Sequence, residues 1–257
     1  MRRGLALFAL VPLLAGCGGG GAGSVLSQTA KNLGKIHSGT LSLKLLIIPR
    51  GAKHGQPFGF TLHGPFALAK TGSLPRLHVA YTQIANGRQA TATLVSTRSS
   101  ASVSSNGRTV PLPAAALQSL RSIGGANSPG GLGLLGVDKW LEHARSTTCR
   151  GSPGPDIDCV QADLDVVRAT NDLLAVARSA TGRVLPTISG DSAKQLRDAV
   201  DSATVYVASG KKDRLLRSLV IDVRFGLHVP KELRAALGSI VGARVLFELD
   251  VEHPNGR

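Results

Sequence analysis

Long hydrophobic runs are lacking at the start of this chain. The apolar stretch from Leu5 to Leu14 falls short of the about 20 residues that span a bilayer, which speaks against a transmembrane anchor there. Cysteine is sparse, three in 257 residues. Cys149 and Cys159 lack the Cys-x-x-Cys spacing of a redox motif, and no His or Cys cluster accompanies them to make a metal site. The seven histidines, His37, His54, His63, His78, His143, His228 and His253, stand singly. With no His-Glu-x-x-His and no close pair, the sequence offers no zinc hydrolase. There is no Gly-x-Ser-x-Gly elbow, and no Ser-x-x-Lys followed by the partner motifs of a penicillin-binding enzyme. Ser192-Ala193-Lys194 falls one residue short of that motif, and Ser192 reads more simply as a helix N-cap. Asp156, Asp158, Asp163 and Asp165 lack the Gly and the terminal Glu of a calcium loop. The Gly-rich runs at 18–23 and 124–136 do not join a strand to a helix as phosphate cradles do; they read as linker and loop. No repeat of fixed period is visible. No catalytic residue, metal ligand or cofactor is therefore expected.

What is present begins at the N-terminus. A basic tip, Arg2 and Arg3, precedes the short apolar run and then small residues, the pattern of a secretory signal. Leu14-Ala15-Gly16-Cys17 resembles the bacterial lipobox, in which the thiol receives a diacylglyceryl group and the chain is cut just before it. The resemblance implies lipidation at Cys17, with an ordinary secretory signal and a chance cysteine as the alternative. The expected organisation is a signal peptide at 1–16, a lipidated Cys17 with a flexible tether to Ser24, and one domain over 25–257. The mature protein would then sit on the extracytoplasmic face of a bacterial membrane, held by lipid.

Aromatic residues are few, and Gly, Ala, Leu, Ser and Val dominate, a globular composition. Removing Arg2 and Arg3 lowers the formal charge from +14 to +12. An exported chain does not meet nucleic acid, so no nucleic-acid partner is expected. The acidic partners at hand are anionic lipid headgroups and phosphorylated glycolipids. Because Lys and Arg are scattered along the chain, solubility near an anionic surface is the simpler reading. Cys149 and Cys159 flank a turn-rich stretch, and an exported protein with two spare cysteines pairs them in a structural disulfide.

The spacing of Leu26, Ala30, Leu33 and Ile36 predicts a helix over 27–36. From Leu41 to Ile47 the period changes to two, which predicts a strand. A longer strand follows over Phe58–Leu68, with a bend or bulge at Gly64-Pro65. Leu77–Ile84 and Gln89–Thr97 form a hairpin about Asn86-Gly87, and Ala101–Ser105 and Thr109–Leu112 another about Asn106-Gly107. Helices are expected over Pro113–Ile123, Val137–Ala144, Val167–Ser179 and Ser192–Ser202. Extended segments are expected at Asp158–Val166, Ala203–Ser209, Leu215–Leu227 and Ala243–Glu252.

Roughly ten alternating strands with few helices imply an α+β fold: a large curved antiparallel sheet with one apolar face. That face carries Leu43, Leu45, Phe58, Phe60, Leu62, Phe66, Val79, Tyr81, Leu219, Ile221, Phe225, Val245, Phe247 and Leu249. Helices near Leu117, Trp140, Leu173 and Leu196 should roof it, and a gap between sheet and helices would accept an acyl chain. A filled core produces the same alternation.

Several short segments carry a further resemblance: Ser38-Gly39-Thr40-Leu41-Ser42-Leu43, Gly64-Pro65-Phe66, Leu74-Pro75-Arg76-Leu77, Asp163-Leu164-Asp165-Val166, and Gly210-Lys211-Lys212-Asp213-Arg214-Leu215-Leu216-Arg217. They look like landmarks of actinobacterial lipoproteins of the LppX/LprG type, which share the fold of LolA, the periplasmic lipoprotein carrier. The match runs loosely from about Gln28 to His253. The hairpin at Asn106-Gly107 departs from it in lacking aromatics, and the cysteine loop is a local feature. The resemblance implies a half-open β-barrel with helices across its mouth and a hydrophobic cavity for acyl chains. It also implies an acyl lipid or glycolipid ligand, carried between membrane and cell envelope. A structural or sensory lipoprotein that binds an envelope protein is the alternative on the same fold, and a hydrolase with dispersed catalytic residues is a third reading.

Overall fold

Apolar side chains that recur at every second position bury one side of an extended strand, and this chain holds many such stretches. In the computed structural model, which describes residues 21–51, 55–69, 73–123, 137–150, 156–181, 186–226 and 242–256, they form one antiparallel sheet of eleven strands. β1 (Ser38–Arg50), β2 (Phe58–Ala67), β3 (Arg76–Ala85), β4 (Arg88–Ser96), β5 (Ala101–Ser105) and β6 (Arg108–Pro111) make one meander. β7 (Leu141–Ser146), β8 (Ile157–Leu164), β9 (Val200–Gly210), β10 (Leu216–Gly226) and β11 (Gly242–Glu252) make a second. The order across the sheet is β6-β5-β4-β3-β2-β1-β11-β10-β9-β8-β7, so the first and last strands join the two meanders side by side. Among the described residues β6 and β7 stay unpaired with each other, and the sheet is open. With four α-helices among the described residues, α1 (Ala22–Asn32), α2 (Ala114–Ile123), α3 (Val166–Thr181) and α4 (Gly190–Asp198), this is the α+β architecture expected.

Turn chemistry sets both N-half hairpins. Asn86 and Gly87 have φ of 51° and 71°, and Asn106 and Gly107 of 50° and 76°. Two successive positive φ values suit the right-handed twist of the flanking strands, and Asn-Gly adopts them at least cost. In β2 the expected irregularity takes a particular form. The pairing of β2 with β3 skips Gly64 and Pro65 and resumes in unchanged register at Phe66 opposite Leu77, so there is no bulge. Pro65 has no N–H to offer, and a Cβ on Gly64 (φ +150°) would overlap the carbonyl oxygen of His78.

The eleventh strand is β7, where the sequence predicted a helix over Val137–Ala144. Only Val137–Trp140 is helical, as a single 3-10 turn, and Leu141–Ser146 pairs with β8. The register shifts between Glu142 and Arg145, and His143 sits at φ 50°. This irregularity leaves Leu141 and Ala144, three residues apart, both packed on the core, which imitates helical spacing. α4 also differs, since it starts at Gly190 with Ser189 as N-cap and ends at Asp198. Ser192 therefore lies inside its first turn rather than capping it, and Val200–Ser202 belong to β9. α1 reaches back to Ala22, into the stretch read as tether, because Gly21 accepts from the N–H groups of Ser24 and Val25. The expected loop at 124–136, the segment 1–20 with Cys17, and Leu227 lie outside the described residues.

The core sits under α1. Val25, Leu26, Leu33 and Ile36 pack against Val160, Ala162, Val205, Val207, Leu216, Leu219, Leu249 and Val251. The Thr29 hydroxyl, 3% exposed, lies 2.8 Å from that of Ser209 and 2.7 Å from the Val25 carbonyl oxygen, so the buried polar groups of helix and sheet satisfy one another. A second, small cluster joins Trp140 to Ala169, with the Trp140 indole N–H donating to Asp172 at 2.7 Å. Asp165 caps α3, its Oδ1 accepting from the N–H groups of Val167 and Arg168.

Candidate functional site

Opposed residues in an antiparallel pair share a face, so the register shows which side chains meet. One row runs Tyr81, Leu62, Leu43, Leu249, Leu219, Val207, Val160 from β3 to β8. The next runs Phe60, Leu45, Phe247, Ile221, Val205, Ala162. A third runs Phe58, Ile47, Val245, Val223. Val79 and Phe66 share the parity of these rows on their strands, and Phe225 follows Val223 on β10. All fourteen residues predicted for the apolar face thus fall on one side of the sheet.

They do not share one environment. Leu219 and Leu249 are buried under α1, and Leu43, Phe66, Ile221 and Phe247 pack against that core. Under α1 lies a small cleft of about 30 Å³, lined by Leu26, Thr29, Leu33, Leu141, Val207 and Leu219 among others. That is room for about one or two waters. Away from α1 the face opens. Phe58 is 45% exposed and Tyr81 39%, while Leu45, Phe60, Leu62, Phe225 and Val245 are half-buried and outside the core cluster. Val79 alone of the β3 side chains is buried. The Phe60 and Tyr81 rings meet with centroids 5.7 Å apart at 31°. The face continues outward through Leu94 and Val103 to Val110, which is 61% exposed.

Among the described residues α1, and not the helices near Leu117, Leu173 and Leu196, supplies the helical side of the main core. Leu173 of α3 is 50% exposed, and Leu117 and Leu196 are half-buried. Trp140 is buried, in its own small cluster. The signal that points to α1 was present in Val25 and Leu26, one helical turn before Thr29 and Ala30. Two adjoining clefts, about 500 and 300 Å³, open at the ends of β2, β3 and β4. They share Ala67 and Arg76, and of the fourteen residues only Phe66 reaches them.

The opposite face is mixed, with Leu46, Val220 and Leu246 among charged side chains. Asp222, 8% exposed, takes a two-pronged bond from Arg244, Nε to Oδ1 at 2.8 Å and Nη2 to Oδ2 at 2.7 Å. The Arg244 guanidinium lowers the Asp222 pKa below the ordinary carboxylate value, and Arg224 and Arg150 add to the effect. Cys149 and Cys159 are joined, with Cα atoms 5.2 Å apart. The link ties the segment after β7 to β8 and sets the Arg150 guanidinium 3.5 Å over the Tyr206 ring. His143 and Asp163 pair at 3.2 Å. Among the described residues no three His, Cys, Asp or Glu side chains cluster closely enough to hold a metal ion. No described helix is long and apolar enough to cross a membrane.

No protein-family model matches the chain, and no curated protein matches it in sequence. Solved structures do align with it. LprF from Mycobacterium bovis does so at 10% identity and a TM-score of 0.43, over 89% of this chain and 91% of its own. The lipoprotein LppX from Mycobacterium tuberculosis does so at 9% identity and a TM-score of 0.38, over 88% and 92%. A LolA-superfamily protein from Nitrosomonas europaea does so at 6% identity and a TM-score of 0.21, over 90% and 94%.

Proposed function

We propose that this chain is a binding protein, not an enzyme, which holds the acyl part of a lipid or glycolipid against the apolar face of β1–β4. It carries that lipid between the cytoplasmic membrane and the cell envelope while tethered through a lipidated Cys17. The observation that supports this reading is the split in the apolar face. One half is sealed by α1, and the other keeps Phe58, Phe60, Leu62 and Tyr81 at least partly open to solvent. A large apolar patch left open on a folded domain marks a place where something apolar binds. A continuous apolar face without paired polar groups suits an acyl chain better than a hydrogen-bonding ligand.

The experiment is native mass spectrometry of the full chain, extracted gently from the membrane of the producing cells. A near-stoichiometric acyl lipid that disappears on denaturation supports the reading. A chain that repeatedly arrives empty, in detergents that preserve bound lipid elsewhere, overturns it.

A further inference from the structure

The cations are scattered along the sequence, but the acids are not. All sixteen Asp and Glu residues lie at or after Asp138, whereas thirteen of the thirty Lys and Arg come before it. The fold turns this sequence asymmetry into a spatial one. Strands β1–β6 are contiguous in the sheet and carry not one acidic residue. The two cations of β1 are neutralised from the other half of the chain: Lys44 pairs with Glu248 at 3.0 Å and Arg50 with Asp201 at 3.1 Å. Farther out the described residues supply no such partners. Arg76, Arg88, Arg98 and Arg108 are exposed and form no ion pair among the described residues.

Their positions bracket the open part of the apolar face. Arg88 and Arg108 follow the two Asn-Gly turns at one end of this wing, opposite Ala85 and Ser105. By alternation they fall on the side of Leu94 and Val110. Arg76 and Arg98 stand at the other end, where β3 starts and β4 has ended; Arg76 has the opposite parity to Val79 and Tyr81, so it marks the edge of the wing and not the apolar face itself. Exposed Tyr81 and Val110 lie between. An apolar band flanked by unneutralised arginines, with no carboxylate to repel phosphate, is complementary to the headgroup boundary of an anionic membrane. Arginine also pairs with phosphate in a two-pronged geometry.

We infer that the β3–β6 wing is a docking surface for an anionic lipid bilayer, laid on it with Tyr81 and Val110 toward the acyl boundary and Arg88 and Arg108 on the phosphates. This inference goes beyond lipid carriage and stands without it, because the charge pattern does not depend on a bound ligand.

The test mixes the full chain with vesicles of phosphatidylcholine, or with vesicles in which roughly a third of the lipid is phosphatidylglycerol. Trypsin cleavage after Arg76, Arg88, Arg98 and Arg108 is timed against cleavage after Arg168, Lys194 and Arg197 in the same sample. Docking slows the first group about fivefold or more in anionic vesicles only, and high salt removes the effect. Arg88→Ser/Arg108→Ser, with its thermal unfolding checked, should lose most of the slowing. Equal rates in the two vesicle types, or equal slowing at both groups of sites, overturns the inference without any reliance on the variant. A chain that carries acyl lipid yet ignores vesicle charge keeps the proposed function and discards the docking surface.

Discussion

Phe60 of β2 and Tyr81 of β3 hold their ring centroids 5.7 Å apart, outside the buried core and on the open half of the apolar face. Such a pair contributes about 0.5–1.5 kcal/mol beyond its buried area, a small part of the stability of a sheet of eleven strands. Tyr81→Ser should therefore lower stability by about 1 kcal/mol in urea unfolding while removing most of the lipid that co-purifies. Leu62→Trp should be equally informative. Leu62 lies opposite Leu43 and Tyr81, half-buried and outside the core. In a packed core the extra ring would cost about 1–3 kcal/mol in strain. On an open face the melting temperature of lipid-free protein should hardly move, and lipid should be lost. A steep fall would mean that Leu62 is in solid core.

The strands were legible because alternation is a direct imprint of burial. β2, β10 and β11 each alternate cleanly, and the Asn86-Gly87 and Asn106-Gly107 turns placed two hairpins. β7 was not legible, because the irregularity at His143 replaces period two with period three. The apolar face could be read residue by residue, yet alternation along a strand carries no information about what packs on it. Whether Leu219 meets a helix and Tyr81 meets solvent depends on where α1 lands, a long-range matter. The charge asymmetry was present in the sequence from the start, but a net count hides it, and only the strand order shows that it occupies one wing.

Asp222 makes stability depend on acid. Its pKa is depressed by Arg244, so its contribution is complete above the ordinary Asp value near 4 and fades as pH falls through the lowered folded pKa. Asp222→Asn leaves the half-exposed Arg244 without its charged acceptor and should cost about 1–3 kcal/mol at neutral pH. The variant's unfolding free energy should also fall less steeply than the parent's below about pH 4. Parallel pH profiles would show that the pair contributes no charge-dependent stability.

The Cys149–Cys159 link closes a short loop, which on the chain-entropy model contributes a little under about 3 kcal/mol. Cys149→Ser/Cys159→Ser should unfold at correspondingly lower urea. Non-reducing peptide maps of the parent should show one linked pair, and two alkylatable thiols would refute it.

Lipidation at Cys17 is tested by Cys17→Ser. Two buried acyl chains, at about 0.8 kcal/mol for each CH₂, anchor a protein stably. The Ser variant should leave the membrane fraction or accumulate uncleaved, and a variant that stays with membranes, cleaved, after a high-salt wash would show another anchor.

The central claim is that the open half of the apolar face holds an acyl chain. Its most direct test is photo-crosslinking of the full chain with a fatty acid bearing a diazirine near the middle of its chain. Mapped crosslinks should fall on Phe58, Phe60, Leu62, Tyr81 and their neighbours in the same rows, and unlabelled lipid should compete them away. Crosslinks gathered instead on the polar parity of the same strands, at Thr61, His63 and Thr82, or labelling that no lipid competes, would contradict it.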